Sequence, residues 1–148
     1  MNIIKLYGGL GNQMFQYALG LVMEKKGIEV AFETSFFHKD QIPLRPYGLD
    51  KYGIDLKLSP FLNQPTIHEK GYDINISNKD NCNFFGYWQY LNYYESVWDQ
   101  IRKTFQVSEK YYIEEYLKLR ERIIKNNSLS IHVRRGDYVT VPGHIVLP

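Results

Sequence analysis

The stretch Ile3-Ile4-Lys5-Leu6-Tyr7-Gly8-Gly9-Leu10-Gly11-Asn12-Gln13-Met14-Phe15-Gln16-Tyr17-Ala18 decides the fold class. It opens with a short apolar run, breaks at a glycine loop and continues into apolar residues at helical spacing. Met14, Ala18 and Val22 recur at i, i+4 and i+8, with Phe15, Leu19 and Met23 beside them, which predicts an amphipathic helix. Asn12 is the expected N-cap of that helix and Gly27 its C-terminal cap. Residues 28–32, Ile-Glu-Val-Ala-Phe, then read as a second strand. Strand, helix, strand is a βαβ unit, so the two strands are expected to be parallel. The glycine spacing is not that of a dinucleotide site, which would need a third small residue where Met14 stands. No Gly-Lys-Ser/Thr follows, so a Walker-type loop is excluded as well. Backbone N–H groups at a helix N-terminus nevertheless bind anions, and glycines let a ligand approach them closely.

The second informative stretch is Ser130-Ile131-His132-Val133-Arg134-Arg135-Gly136-Asp137-Tyr138. Residues 129–133 read as a buried strand, ending where two arginines, a glycine and an aspartate demand a turn. Ligands of open α/β sheets bind at the carboxyl ends of strands. Two guanidinium forks there suit a diphosphate, because arginine offers planar bidentate donors and keeps its charge. If the strand continues, Arg134 and Arg135 point to opposite sides. One is then the main phosphate ligand, and the other braces the loop or reaches the same diphosphate around the turn. Asp137 is placed to orient one fork, and Gly136 permits the turn. His132 reads equally well as a core histidine that holds the loop or as part of the ligand site. Arg135-Gly136-Asp137 is also the tripeptide that integrins recognise. That reading needs a protruding extracellular loop, and no integrin binding is expected.

Between these stretches the pattern is less regular. Residues 38–80 contain Pro43, Pro46, Pro60 and Pro65, and loops with one or two short helices are expected. Asn83 to Gln89 reads as a strand. Helices are expected over about 92–105 and 109–125, the second with Ile113, Leu117, Arg120 and Ile124 along one side. The aromatics from Phe84 to Trp98 read first as packing and second as a sugar-stacking surface. A domain boundary is expected at Asn126–Ser128.

The chain has 148 residues, 44% hydrophobic and 16% aromatic, which excludes a disordered tail and fits one ordinary domain. A net charge of +2 from 18 basic and 16 acidic residues argues against a nucleic-acid binder. The single cysteine, Cys82, allows no internal disulfide and fits a reducing compartment. There is no basic segment followed by an apolar run at the N-terminus, so no secretory signal is read. No Asp-x-Asp triplet occurs, and His38, His68 and His144 have no partner at metal-ligand spacing, so no metal site is expected.

Taken together, Gly8 to Ala18 and His132 to Tyr138 resemble the family 11 glycosyltransferases, the α-1,2-fucosyltransferases. Phe85-Gly86-Tyr87-Trp88-Gln89-Tyr90 resembles a third stretch of that family. The resemblance covers essentially the whole chain in order. It implies a Rossmann-like α/β N-terminal domain of a GT-B enzyme, residues 1–127, on the acceptor side. Residues 128–148 would then begin the donor-binding domain. The chain ends at Pro148, ten residues after Tyr138, so it is expected to be an incomplete form whose own activity is in doubt. The implied reaction transfers L-fucose from GDP-β-L-fucose to the 2-hydroxyl of a galactoside, with inversion and without a metal or other cofactor. The implied catalytic residues are Arg134, Arg135 and Asp137. The implied donor-binding residues are Gly9, Gly11, Asn12, His132, Arg134 and Arg135, with Arg134 the principal phosphate contact. Partners would be the nucleotide sugar and a galactose-containing glycan. The expected setting is bacterial cytoplasm, with peripheral contact at the inner membrane through a glycolipid acceptor. The alternative is a non-catalytic sugar- or nucleotide-binding module of the same fold.

Overall fold

A computed structural model describes residues 1–38, 45–70, 75 and 78–132. The chain separates into two compact units, Met1–Tyr111 and Tyr112–Pro148. The first carries a four-stranded sheet: β1 (Asn2–Lys5), β2 (Val30–Glu33), β3 (Thr66–His68) and β4 (Asn83–Phe85). The order is β2-β1-β4-β3, and every pairing is parallel. The expected βαβ unit is present, with Asn2 opposite Val30 and Lys5 opposite Glu33. Its second strand begins at Val30 rather than Ile28, because the chain first has to turn out of the helix. That turn uses Gly27 at φ +77°, after which the Ile28 N–H bonds the Met23 carbonyl at 3.1 Å. Such a left-handed residue closes a helix end at little cost when it is glycine.

Helix α1 (Leu10–Lys25) connects β1 to β2. It is not simply amphipathic. Every residue from Ala18 to Met23 is buried, with the sheet residues Ile4, Phe32 and Phe84 and the aromatic segment residues Tyr93, Tyr94 and Val97 in the same core. That segment was expected as part of one helix over 92–105. It forms instead a 3₁₀ stretch, Leu91–Val97, followed by the short helix α2 (Trp98–Thr104). Tyr94 anchors this stretch, since its hydroxyl bonds the Trp88 carbonyl and lies 3.1 Å from that of Phe15. Among its described residues the loop-rich middle includes a short 3₁₀ helix, Leu49–Tyr52, as expected. It also supplies the unexpected edge strand β3. Three residues with half-exposed alternation are too short to stand out from sequence periodicity. β3 is placed by Asn83, whose Nδ2 donates to the Leu62 carbonyl at 2.9 Å just ahead of it.

Two further expectations are corrected. β4 ends at Phe85 rather than Gln89, because the chain turns through Gly86 into Trp88 at φ +59°. Residues 129–132 form no strand. Leu129 and Ile131 are 86% and 80% exposed, and no neighbouring strand pairs with them among the described residues. Backbone and apolar side chains without a sheet partner gain nothing from extension. The expected helix over 109–125 is a 3₁₀ turn, Glu109–Tyr111, in the first unit and the helix α3 (Glu114–Lys125) in the second. The apolar stripe of α3 is present, but none of its residues is buried. A Glu114–Lys118 pair at 2.6 Å supports it at i, i+4.

Candidate functional site

β1 and β4 are parallel neighbours, so the loops at their carboxyl ends leave the sheet side by side, at the edge where open parallel sheets bind ligands in a crevice. Two of the three segments singled out in the sequence meet there. The glycine loop follows β1, and Gly86 to Gln89 follows β4. Gln89 Nε2 donates to Asn12 Oδ1 at 2.7 Å, joining the two.

The helix starts at Leu10, so Asn12 is in the first turn and not at the N-cap. Gly9 holds the cap position with extended backbone and offers no side chain to it. The first-turn N–H groups of Leu10, Gly11 and Asn12 therefore lack intrahelical acceptors. No acidic residue stands in that turn to offset the positive helix end. Gly11 is exposed, and a Cβ placed on it would meet nothing within 4 Å. Gly8 is different. It has φ +80°, and a Cβ would come 2.7 Å from Asn12 Nδ2. Gly8 is thus required by the fold, whereas Gly11 leaves open space above the helix end.

Two glutamines missed in the sequence reading build this loop. Gln13 is fully buried and makes three bonds. Its Nε2 donates to the Gly8 and Pro46 carbonyls at 3.1 and 3.0 Å, and its Oε1 accepts from the Gly48 N–H at 3.0 Å. Gln16, also fully buried, accepts from the Tyr7 N–H at 3.0 Å and donates to the Gly86 carbonyl at 3.1 Å. Buried amides bonded at both their oxygen and their nitrogen fix one geometry, since breaking either bond leaves an unpaired polar group. The available signal was two amides, three positions apart, on the inward face of an otherwise apolar helix.

Glu69, just beyond β3, performs the same service for the other rim. Its carboxylate accepts from the Tyr87 and Trp88 N–H groups at 2.7 and 2.9 Å. Gly86 lies so close to it that a Cβ would be 2.5 Å from that of Glu69. Tyr7 stacks between Phe85 and Tyr87, at ring-centre distances of 5.0 and 4.7 Å, with Phe36 edge-on at 5.9 Å. Burial first, then Tyr87 and Glu69, push the Tyr7 phenol up to about 12, so it is a neutral hydrogen-bond donor at ordinary pH. Beneath it Lys5 pairs with Glu33 at 2.7 Å. Burial raises the Glu33 pKa, but hydrogen bonds from Lys5 and Ser35 outweigh it and hold the carboxyl below its usual range.

The remaining candidates fall elsewhere. His132 is exposed and belongs to the second unit, so the buried-strand placement expected for it is not found. Arg134, Arg135 and Asp137 lie outside the described residues.

A parallel sheet with an uncapped helix end at its crevice suits an anionic ligand but names no family by itself. Over residues 1–147 the chain matches the glycosyl transferase family 11. It belongs to that family. Among curated proteins it is similar to an alpha-1,2-colitosyltransferase of Escherichia coli, 28% identical over 93% of this chain and 55% of the relative. It is also similar to the O-antigen biosynthesis glycosyltransferase WbnK of Escherichia coli, 26% identical over 97% of this chain and 63% of the relative. The chain thus spans less than two thirds of the length of either. No solved structure matches it. For this family 11 member, then, Gly8 to Ala18 and Phe85 to Tyr90 are the two motif stretches whose structure is described, and they form one bonded unit. No helix among the described residues is long and apolar enough to cross a membrane.

Proposed function

We propose that this chain is the acceptor-side portion of an inverting, metal-independent transferase. The enzyme moves L-fucose from GDP-β-L-fucose to the 2-hydroxyl of a galactoside. The observation that carries this reading is the uncapped N-terminus of α1, held rigid in the β1/β4 crevice with open space above Gly11. Negative charge grows on the β-phosphate as the sugar bond breaks. Without a metal, preorganised N–H dipoles and cations have to stabilise it. The N–H groups at Gly11 and Asn12, with Gly9 keeping the approach unobstructed, supply the dipoles in this reading. Arg134 and Arg135 supply the cations, Asp137 holds one guanidinium in register, and His132 supports the donor loop. Residues 128–148 then begin the donor-binding domain, and 1–127 hold the acceptor.

Family membership supports a glycosyl transfer, and the colitosyltransferase carries the α-1,2 linkage in its name. The name of the second relative places that protein in O-antigen biosynthesis. A surface-polysaccharide precursor is accordingly the acceptor we infer, met in the cytoplasm at the inner membrane. The test is product formation by a protein that continues this chain to the length of its relatives, incubated with GDP-fucose and lactose. Fucosyllactose is expected. Its absence, with transfer from another nucleotide sugar, would overturn the donor assignment. Arg134→Lys keeps the charge and loses the bidentate fork, so kcat/KM should fall by about tenfold or more, the worth of one charge-assisted bond. Unchanged kinetics would remove Arg134 from the diphosphate site.

A further inference from the structure

A second concavity opens at the carboxyl end of β2, lined by Thr34, Phe37, His38, Tyr47, Asp55 and Leu58 among others. Its volume is about 300 Å³, at the small end of the range for ligand sites. That is too little for a nucleotide sugar and suits one sugar ring. Phe37 and Tyr47 meet edge to face at 5.7 Å and form an aromatic wall. Aromatic faces of this kind bury the apolar C–H side of a ring, while nearby polar groups take its hydroxyls. The polar groups are in place: the Tyr47 hydroxyl, the His38 imidazole and the Asp55 carboxylate. None of these three is tied up by a hydrogen bond or ion pair among the described residues. Burial first, then Asp50, Tyr17 and Asp55, raise the Tyr47 phenol to about 12, which keeps it a donor at ordinary pH.

The concavity is also coupled to the crevice. Phe37 meets Phe36 at 5.3 Å, and Phe36 meets Tyr7 at 5.9 Å, so aromatic contact runs unbroken from Tyr47 to the glycine loop. Gln13 adds a polar link, since it bonds the residues on both sides of Tyr47, Pro46 and Gly48, together with Gly8.

We infer that this concavity, built on Tyr47, Phe37 and Asp55, is a hexose subsite that holds the ring of the acceptor glycan next to the one that receives the transferred sugar. The inference rests on the acceptor-side reading given above. It is tested by titrating the ¹⁵N-labelled chain with lactose and following its amide resonances. Shifts are expected at Thr34, Tyr47, Asp55 and Leu58, and Asp55→Asn should weaken binding by about tenfold, as loss of one charge-assisted hydrogen bond entails. Asp55 is exposed, so an otherwise unchanged spectrum will show that the variant is folded. Shifts confined to Tyr7 and Tyr87, or no shifts at any soluble lactose concentration, would overturn the subsite. The two readings fail separately. Fucosyl transfer with an acceptor KM indifferent to Asp55→Asn would sink the subsite alone. Lactose binding at Asp55 without any fucosyl transfer would sink the donor reading alone.

Discussion

Gln16 donates its Nε2 hydrogen to the Gly86 carbonyl, 3.1 Å away in space and 70 residues on in the chain. The other end of the same amide accepts from the Tyr7 N–H. One side chain therefore holds both rims of the crevice at a fixed separation. Gln16→Leu preserves bulk and removes both bonds. Each buried backbone group left unpaired costs about 1–3 kcal/mol, so urea unfolding should show a loss of roughly 2 kcal/mol, the low end for two such groups. A loss below about 0.5 kcal/mol, the scatter of ordinary surface changes, would mean that water replaces the amide freely and the rims are not locked.

The two loop glycines should respond in opposite ways to alanine. Gly8→Ala forces a Cβ at φ +80° to within 2.7 Å of Asn12 Nδ2, and should cost at least about 1 kcal/mol in backbone strain alone. Gly11→Ala meets no atom within 4 Å and sits in the first turn of a helix. There alanine is favoured over glycine by up to about 1 kcal/mol, so the melting temperature should hold or rise. If Gly11 serves ligand approach, donor affinity should fall in that stabilised variant. Equal destabilisation by both changes would contradict the difference in their surroundings.

The β1–α1–β2 unit was legible because its periodicity and glycine punctuation agree and its contacts are local. The site was half legible. Glycine spacing marked the loop after β1, but nothing in residues 7–18 reveals that Gln13 and Gln16 bond Pro46, Gly48 and Gly86. Those partners are 33, 35 and 70 residues away. Glu69 was invisible for the same reason, since its two bonds cross from β3 to the turn after β4. Asn12 was misplaced because the residue type that caps helices so well also serves as an acceptor, here for Gln89. Residues 129–132 show the converse limit. Their pattern is that of a strand, yet a strand exists only with a neighbour to bond.

The Lys5–Glu33 pair makes a testable contribution to acid stability. The folded carboxyl lies below its unfolded value, which is about 4.3 in a free chain. The unfolded state therefore binds the proton first as pH falls. The stabilisation is fully present above pH about 4.3 and disappears as pH drops through the lower, folded value. Glu33→Gln should narrow the stability gap between pH 6 and pH 3 relative to the parent. The alkaline side has the opposite sign. Tyr7 and Tyr47 hold their protons up to about 12 when folded, against about 10 when unfolded, so stability should fall between those values. A pH profile unchanged by Glu33→Gln would show that Lys5 contributes nothing to holding that carboxylate.

Glu69 offers the sharpest separation of charge from shape. Its two oxygens bond the N–H groups of Tyr87 and Trp88, and Trp88 is held at φ +59° with its side chain 1% exposed. A non-glycine residue keeps such backbone only when its surroundings enforce it, at a cost of about 1–3 kcal/mol. Glu69→Ala removes both charge-assisted bonds, each worth about 1.5–3 kcal/mol. The loss should be near 3 kcal/mol, the lower end of that sum, because Tyr87 is exposed to water that can replace one bond. Glu69→Gln keeps the shape and one acceptor oxygen, but turns an amide NH₂ toward one of the two N–H groups. It should therefore lose about half as much stability as the alanine variant, since one of the two bonds remains. Released from Glu69, the turn can relax and admit water to the indole, so tryptophan emission should shift to longer wavelength in the alanine variant. If both variants unfold like the parent and emission is unmoved, the turn after β4 holds its strained backbone without Glu69, and the packing of Trp88 against Phe84, edge to face at 5.9 Å, must suffice.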